Sequence, residues 1–302
     1  MWGECNQIFF AAQFSPQPIS AGGSSAISSP HTDNHSDGTG TSTQGRVPFT
    51  LVVPAYNEER RLPSAIRDIR AFFSGIDDKF EVLIVIEKSK DRTVELAREA
   101  AAGEPRIQVI DNQVHRGKGF AVKSGMLRAQ GDIVFFTDAD LSTPLAEILT
   151  FLAHFKEHPE TDVLIGSRSH AKSQVIKRQS LFRQTLGRTF NKLVQLISVR
   201  GIEDTQCGFK AFRATACREV FNRQTLNGFA FDVEILMLAQ RLGYKIDVLP
   251  VRWINSPDSK VRIFIDPFKM LWDLLKIRLI VRKTIRAKPL LPANYPSPKS
   301  LS

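Results

Sequence analysis

The sequence predicts an α/β fold with a mostly parallel sheet and helices on both faces, and three observations support that prediction. Short runs of β-branched and aromatic residues alternate with segments of helical periodicity through the first half of the chain. Several runs are apolar along their whole length, as expected of strands covered on both faces. One such run leads into two closely spaced aspartates, at the strand end where open parallel sheets bind ligands.

The predicted elements follow in order along the chain. Strands are expected at 49–53, 80–86, 106–110, 132–137, 162–165 and 245–251. Between the first five strands, helical spacing of apolar residues occurs at 62–73, 93–102, 120–129 and 144–155. Such alternation indicates right-handed βαβ units. The second half is less regular, with a helix predicted at 180–198, a strand at 208–212 and a helix at 231–242.

We expect the chain to divide into three parts. Residues 1–47 contain a long stretch poor in large apolar side chains, so a disordered N-terminal segment is predicted. Residues 48–261 are expected to form one domain, with a nucleotide-binding half up to about residue 140 and an acceptor half after it. Residues 262–302 are expected to form a basic amphipathic helix and tail.

Composition narrows the function classes. The 302 residues are 42% hydrophobic and 24% charged, which is typical of a globular protein. The net charge of +10 indicates an anionic partner such as nucleotide phosphates, a lipid surface or nucleic acid, although solubility alone would also explain it. Three scattered cysteines favour neither a disulfide framework nor a zinc site, and they fit a reducing compartment. Because no apolar run approaches about 18 residues, we expect no transmembrane helix.

The central feature is the segment 133–140, in which a buried strand delivers Asp138 and Asp140 to the carboxyl end of the sheet. Two carboxylates separated by one small residue can bind a hard divalent cation, Mg²⁺ or Mn²⁺, which would neutralise a diphosphate leaving group. The pattern therefore favours a metal site. Aspartates are also common in turns and at helix N-caps, and Pro144 opens a predicted helix nearby.

Two further segments carry candidate nucleotide-binding residues. The motif that contains Pro54, Tyr56 and Glu58 follows the first strand, where a doubly wound fold places its nucleotide. Tyr56 could lie against a base or ribose, and Glu58 could accept hydrogen bonds from a sugar or base. Residues 115–119 precede a predicted helix, where Lys118 and the helix N-terminus would favour a phosphate. The sequence contains neither a P-loop nor the glycine fingerprint of dinucleotide-binding folds.

Five motifs occur in one order along the chain. They are Pro-Ala-Tyr-Asn-Glu at 54–58, Gly-Lys-Gly at 117–119, Asp-Ala-Asp at 138–140, Gly-Ser-Arg at 166–168 and Asp-Thr-Gln-Cys-Gly-Phe-Lys at 204–210. From about residue 49 to 260 this order resembles inverting family-2 glycosyltransferases. The last motif, with Phe-Ala-Phe-Asp-Val-Glu at 229–234, most resembles dolichyl-phosphate β-glucosyltransferases. The resemblance implies a GT-A fold of Rossmann-like architecture, a UDP-sugar donor (UDP-glucose), Mg or Mn, and a polyprenyl phosphate acceptor.

One segment departs from the family pattern. Family members carry Val-Asp-Asp-Gly-Ser after the second strand, and an aspartate there contacts the nucleotide base. This chain has Ile86, Glu87 and Lys88 at the corresponding positions. Glu87 is one methylene longer and is the candidate substitute, whereas the Ile86 side chain cannot accept a hydrogen bond.

The resemblance also assigns residues to the acceptor side. Arg168 and Lys260 match positions that resemble phosphate-handling residues of the family, and Arg178 is a further candidate. Asp204 would orient the acceptor or a sugar hydroxyl, although it could equally build a turn. We therefore expect Asp140, Asp204 and Arg168 to be the catalytic residues.

The segment 262–288 interleaves eight basic residues with apolar ones. This pattern suits a helix in the headgroup region of an anionic leaflet, and it suits equally a terminal helix packed on the core with a solvated basic side. We expect peripheral attachment on the cytoplasmic face of a membrane.

Two alternatives remain open at this level. A glycosyltransferase acting on a saccharide or other hydroxyl would need a carboxylate base, for which Asp204 and Asp232 are candidates. A non-catalytic nucleotide- or nucleic-acid-binding module would explain the basic charge. However, the aromatic residues lie in apolar runs and no nucleic-acid-binding signature occurs, so no nucleic-acid partner is expected.

Overall fold

A computed structural model of the chain describes residues 47–76, 80–169, 173–175, 199, 201–254 and 266–287. Its strands are β1 (Phe49–Ala55), β2 (Phe80–Ile86), β3 (Ile107–Asp111), β4 (Ile133–Phe136), β5 (Val163–Ser167), β6 (Gln174–Val175), β7 (Lys210–Arg213), β8 (Ile246–Pro250) and β9 (Arg252–Trp253). Its helices are α1 (Leu62–Phe73), α2 (Thr93–Ala101), α3 (Lys118–Arg128), α4 (Glu147–Glu157), α5 (Ala214–Arg223), α6 (Phe231–Arg241) and α7 (Asp266–Ala287).

Seven strands form one sheet in the order β3-β2-β1-β4-β7-β5-β8. Strand β7 runs antiparallel to both of its neighbours, and the other pairings in the sheet are parallel. Strands β6 and β9 form a separate two-stranded parallel ladder. Helices flank the large sheet, so the predicted α/β fold with a mostly parallel sheet is confirmed.

Strand β1 extends past the predicted end at residue 53 and includes Pro54 and Ala55. The proline is tolerated because β4 pairs with β1 only as far as Val52, so at Pro54 the ladder on that side has already ended. On the other side β2 still pairs with β1 as far as Ala55.

Three sequence-based predictions differ from the structure in the second half and near α4. The predicted strand at 245–251 is one residue shorter at each end, as β8, and the short strand β9 that follows it was not predicted. Helix α5 was not predicted, and α4 begins at Glu147 instead of residue 144 because 144–147 form a turn closed by the Glu147 amide and the Pro144 carbonyl, 3.0 Å apart. Residues 1–46, the predicted helix at 180–198, Arg178 and Lys260 lie outside the described residues.

Aromatic side chains fill the space between β1, β2 and the flanking helix α1. Phe49 and Phe80 stack with ring centroids 5.9 Å apart, and Phe73 of α1 lies 4.3 Å from Phe80. Phe135 of β4 continues the cluster, with its centroid 6.0 Å from that of Phe49. These side chains are almost wholly buried, which explains why the strands read as continuous apolar runs.

Helix α7 packs against the domain through one side. Ile277 and Val281 are fully buried and belong to the main core cluster. On the other sides Leu279, Arg282 and Lys283 are exposed. No helix within the described residues is long and apolar enough to span a bilayer.

Helix α3 lies directly on the sheet because it carries a glycine at the point of contact. A Cβ added at Gly125 would lie 2.9 Å from Val85 Cγ2 and closer still to Val52 Cγ1. Both valines are fully buried in the sheet and have no room to move. Gly125 therefore sets the distance at which α3 packs, and α3 carries Lys118 at its first turn.

We expect Gly125→Ala to lower the free energy of unfolding by about 1–3 kcal/mol through overpacking, although alanine is the better helix former. Urea unfolding followed by circular dichroism measures this change. The matched control is Gly228→Ala, because a methyl group at Gly228 meets open space. Equal stability of the two variants would contradict the packing argument.

Candidate active site

The sheet topology brings the sequence motifs to one edge. The carboxyl ends of the parallel strands β1, β2, β4 and β5 lie there, and so does the amino end of β7, because β7 runs the opposite way. Lys210, the first residue of β7, pairs with Phe136 of β4 and with Ile165 of β5. The segment 204–210 therefore lies beside the aspartates that follow β4.

Asp138 and Asp140 are partly exposed at this edge. Lys118 Nζ lies 2.6 Å from Asp138 Oδ1, and the Asp140 carboxylate accepts a hydrogen bond from the Ser142 amide at 3.0 Å. Burial would lower the pKa of Lys118, but the carboxylates of Asp138, Asp232 and Asp140 together raise it above its ordinary value. Lys118 therefore stays charged among the carboxylates.

The turn that carries the two aspartates is held in an uncommon backbone conformation. Leu141 has φ of 48°, a value that non-glycine residues rarely adopt. Its amide donates to the Asp138 carbonyl at 3.0 Å, which closes the turn. A left-handed leucine at this point is a local strain that the surrounding structure must hold, as is common at functional sites.

The donor set fits a divalent cation that is shared with a substrate. Asp138 and Asp140 offer hard carboxylate oxygens, and Mg²⁺ is usually held by one or two carboxylates together with substrate phosphates. The described part of the chain contains no group of three or more His, Cys, Asp or Glu side chains able to hold a metal by itself. The remaining ligands would therefore come from a phosphate and water.

The position of residue 208 in the motif 204–210 requires a glycine. A Cβ at this position would overlap the Asp138 carboxylate. The backbone of the motif therefore lies directly against one of the two aspartates, and no larger residue could occupy the position without displacing it.

The partly exposed Arg168 and the buried Asp204 form a bidentate ion pair. The guanidinium donates Nε to Asp204 Oδ2 at 2.8 Å and a terminal nitrogen to Oδ1 at 2.7 Å, and the Arg168 amide also donates to Oδ2. Burial would raise the pKa of Asp204, but the Arg168 charge and these hydrogen bonds hold it below its ordinary value. The Arg168 guanidinium also lies over Trp253, 4.9 Å from the ring centroid.

A second buried pair joins the two most specific motifs. Lys210 is fully buried, and its Nζ donates to Asp232 Oδ1 at 2.5 Å and to the Cys207 carbonyl at 2.6 Å. Asp232 is 2% exposed. Because burial raises the pKa of the Cys207 thiol to about 11, that side chain stays neutral and packs as a small apolar group.

Some buried polar atoms beside these pairs have no hydrogen-bond partner within the described residues. They include Thr205 Oγ1, Gln206 Nε2 and Ser142 Oγ. Buried polar atoms in native proteins nearly always have a partner, so we expect ordered water or a bound ligand to satisfy these atoms.

Glu87 binds the loop that precedes α3. Its buried carboxylate accepts the amides of Arg116 at 3.0 Å and Gly117 at 2.9 Å, and His115 Nδ1 lies 2.6 Å away. Both oxygens therefore have partners inside the protein. The suggestion that Glu87 contacts a nucleotide base stays a prediction, while the structure assigns it the positioning of this loop.

The other nucleotide-binding candidates also lie at this edge. Glu58 binds Arg61 through both oxygens, at 2.8 and 2.7 Å, and its amide donates to Thr93 Oγ1. Tyr56 stacks on His115 with ring centroids 3.8 Å apart and an interplanar angle of 11°. Pro54 lies within the buried end of β1.

The structure thus brings most candidates together and adds others. Asp138, Asp140, Lys118, Arg168 and Asp204 meet around the start of β7. Sequence reasoning missed His115 and the pairing of Lys210 with Asp232. The signal for that pair was present, since each residue belongs to a motif that had been singled out, but only the fold shows that the motifs touch.

The chain is similar to known proteins in sequence and in fold. Residues 50–221 match the family described as Glycosyl transferase family 2. The chain is 37% identical to a dolichyl-phosphate β-glucosyltransferase of Trichomonas vaginalis over 242 residues, covering 78% of this chain and 74% of that one. It is 37% identical to the Drosophila melanogaster dolichyl-phosphate β-glucosyltransferase over 240 residues, covering 76% of this chain and 74% of that one.

A solved structure confirms the GT-A fold. Glucosyl-3-phosphoglycerate synthase from Mycobacterium tuberculosis, in a complex with Mn²⁺, UDP and glucosyl-3-phosphoglycerate, superposes with a TM-score of 0.57. The superposition covers 78% of this chain and 80% of that one, at 17% identity. At this identity the likeness concerns the fold alone.

The pair of Arg168 and Asp204 predicts a pH-dependent contribution to stability. Because the folded-state pKa of Asp204 lies below its ordinary value, about 3.9, the contribution is complete above that pH and is lost as the pH falls through the folded-state value. Asp204→Asn should therefore be less stable than the wild type at neutral pH, and the difference should shrink below about pH 4.

Urea unfolding of both proteins across this pH range measures the difference. Asp68→Asn, on the exposed face of α1, is the control and should leave the curve unchanged. A difference between wild type and Asp204→Asn that stays constant as the solution is acidified would show that the carboxylate is not held ionised by Arg168.

Proposed function

This chain belongs to glycosyl transferase family 2, and we propose that it transfers glucose from UDP-glucose to dolichyl phosphate with inversion at the anomeric carbon. The proposal is supported by relatives at 37% identity that are named dolichyl-phosphate β-glucosyltransferases. The structural observation that supports it most directly is that the carboxylates on the acceptor side of the site are already bound to basic side chains.

The two carboxylates that are candidates for a general base each form an ion pair with a basic side chain. Asp204 is 1% exposed and binds Arg168 through both oxygens, and Asp232 is 2% exposed and binds Lys210. A hydroxyl acceptor would need one of them to take its proton. A phosphate monoester has a second pKa of about 6, so it arrives largely ionised and needs no such base. The arrangement therefore favours a lipid phosphate over a saccharide acceptor.

The proposed roles fall into two groups, one on the acceptor side and one on the donor side of the sheet edge. On the acceptor side, Arg168 offers the positive charge that would hold the phosphate in line with the anomeric carbon. Asp204 fixes the orientation of the Arg168 guanidinium. A phosphate oxygen then forms the new bond to that carbon while the bond to the UDP oxygen breaks and UDP leaves with the electron pair. On the donor side, Lys118 adds positive charge next to the diphosphate.

We propose that Asp138 and Asp140 hold a Mg²⁺ or Mn²⁺ ion. When bound, this ion would neutralise the charge that develops on the departing diphosphate. The fit rests on the two partly exposed carboxylates at the carboxyl end of β4.

We also propose that α7 attaches the enzyme peripherally to the cytoplasmic face of a membrane. Along residues 276–287 its exposed positions include Arg278, Leu279, Arg282, Lys283 and Arg286. This stretch contains no acidic residue, and Leu279 is 67% exposed. Basic residues around an exposed apolar side chain suit an anionic headgroup region, which is where a lipid phosphate acceptor is found.

We expect purified protein with UDP-glucose and Mn²⁺ or Mg²⁺ to glucosylate a short-chain polyprenyl phosphate. Asp140→Asn should lower kcat/KM roughly a hundredfold or more, since several kcal/mol of leaving-group stabilisation would be lost. Radiolabelled sugar in the lipid product is the measurement. Asp68→Asn, exposed on α1, is the control and should keep full activity.

Two outcomes of this assay would count against the proposal. Transfer to the unphosphorylated polyprenol or to a free sugar at the same rate would contradict the phosphate acceptor. Undiminished activity of Asp140→Asn in the presence of EDTA would contradict the metal site.

The membrane proposal predicts a specific loss of binding. Replacing Arg282, Lys283 and Arg286 with Gln should weaken binding to vesicles that contain phosphatidylserine on the order of a hundredfold, at about 1 kcal/mol per basic residue. Vesicle sedimentation at low and high salt measures the effect.

The matched control removes the same charge from another surface. Its variant replaces the exposed Arg67, Arg98 and Arg241 with Gln. If both triple variants lose binding equally, net charge explains the attraction and α7 has no special role.

A further inference from the structure

Two stacked rings stand at the end of the sheet where the donor nucleotide is proposed to bind. Tyr56 follows β1, and His115 lies in the loop between β3 and α3. Their ring centroids are 3.8 Å apart and the rings are nearly parallel. The strands β1, β2 and β3 are neighbours in the sheet and run parallel, so the loops that follow them lie at one carboxyl edge, where open α/β sheets bind ligands.

The buried Glu87 decides which nitrogen of His115 carries the proton. Its carboxylate accepts the amides of Arg116 and Gly117, so it acts there as an acceptor. His115 Nδ1, 2.6 Å from the same carboxylate, must then be the donor. In the neutral ring this leaves a lone pair on Nε2, which has no hydrogen-bond partner within the described residues. The His115 side chain is 47% exposed, so its free edge is accessible to a ligand.

Among the described residues, the three at 86–88 offer no other acceptor side chain for a base. Ile86 is fully buried and aliphatic, and both oxygens of Glu87 are engaged with the loop. The next residue, Lys88, is exposed but its ammonium group has only donors. Its amide donates to the Val114 carbonyl at 3.0 Å, which ties this strand end to the residue before His115.

We propose that His115 reads the nucleotide base, with Nε2 accepting the N3–H of uracil; this rests on the proposed UDP donor. Uracil presents a donor at N3 between two carbonyl acceptors, whereas cytosine presents a lone pair at N3. A neutral histidine that is protonated at Nδ1 accepts at Nε2, so it favours uracil and rejects cytosine. Base recognition is thereby moved from the end of β2 to the loop before α3.

Contacts on one face and at one edge restrict the motion of the His115 ring. Tyr56 covers one face of the imidazole, and Glu87 fixes its Nδ1 edge. One residue further on, the Arg116 guanidinium packs over Phe120 of α3, 4.9 Å from the ring centroid. A preorganised acceptor loses little freedom when the base binds, which is what a specificity contact requires.

A direct test compares three nucleotides as ligands of the full chain in the presence of Mn²⁺. They are UDP, 3-methyl-UDP, in which the N3 donor is replaced by a methyl group, and CDP. Isothermal titration calorimetry of the wild type should show UDP binding on the order of tenfold or more tightly than either analogue, because a polar contact made with one ligand is lost with the others.

Two variants and a control separate recognition from structure. His115→Phe keeps an aromatic ring against Tyr56 but has no acceptor, so it should bind UDP more weakly and no longer prefer it over 3-methyl-UDP. His115→Asn retains an acceptor oxygen and should keep part of the preference. Lys88→Ala removes the exposed neighbour and should leave the preference intact. Circular dichroism melting establishes that each variant is folded.

The outcomes distinguish this inference from the proposed function. Tight UDP binding by the wild type with no preference over 3-methyl-UDP would overturn the role of His115 and leave the donor assignment standing. A preference that survives in His115→Phe would overturn it as well. Failure of the wild type to bind UDP at all would overturn the UDP donor itself, and the role of His115 with it.

Discussion

The antiparallel strand β7 is the constraint on which the site depends. In a sheet of parallel strands only carboxyl ends would meet at the ligand edge, but β7 is inserted between β4 and β5 in the opposite direction. Its amino end therefore reaches the same edge and carries the segment 204–210 with it. Gly208 then lies against the Asp138 carboxylate, and Lys210 begins the strand between two parallel neighbours. Donor-side and acceptor-side chemistry become adjacent through this one reversal.

The charges at this edge are organised as pairs. Lys118 faces Asp138, Arg168 binds Asp204, and Lys210 binds Asp232. Burying a charge without a partner is costly, and the attraction within a buried pair offsets part of that cost. Removing one member would leave the other uncompensated. The pairs nevertheless differ in exposure, since Lys210, Asp232 and Asp204 are almost wholly buried, whereas Lys118, Asp138 and Arg168 remain partly exposed.

Local sequence patterns were sufficient for the first half of the fold. Apolar runs and helical spacing located β1 to β5 and the helices between them, because both signals come from residues close together in the chain. They could not show the direction of β7 or the contact between Lys210 and Asp232, which are 22 residues apart. Likewise, the position of Glu87 after β2 predicts a contact with the base, and that contact stays a prediction. Its actual partners, the amides of the loop before α3, become visible only when β2 and that loop are adjacent.

Ile86 stands where the family has an aspartate, and this difference is accompanied by contacts between Glu87 and the loop before α3. An aliphatic side chain at that strand end removes an acceptor, and full burial means that nothing in solution compensates for the loss. The longer carboxylate at Glu87 reaches the loop before α3, where it accepts the amides of Arg116 and Gly117 and contacts His115 Nδ1. On the proposed role of His115, the acceptor for the base is relocated from the end of β2 to this loop. On the acceptor side, Asp204 and Asp232 are paired with Arg168 and Lys210. In the proposed reaction the nucleophile therefore arrives already ionised, as the phosphate of the substrate.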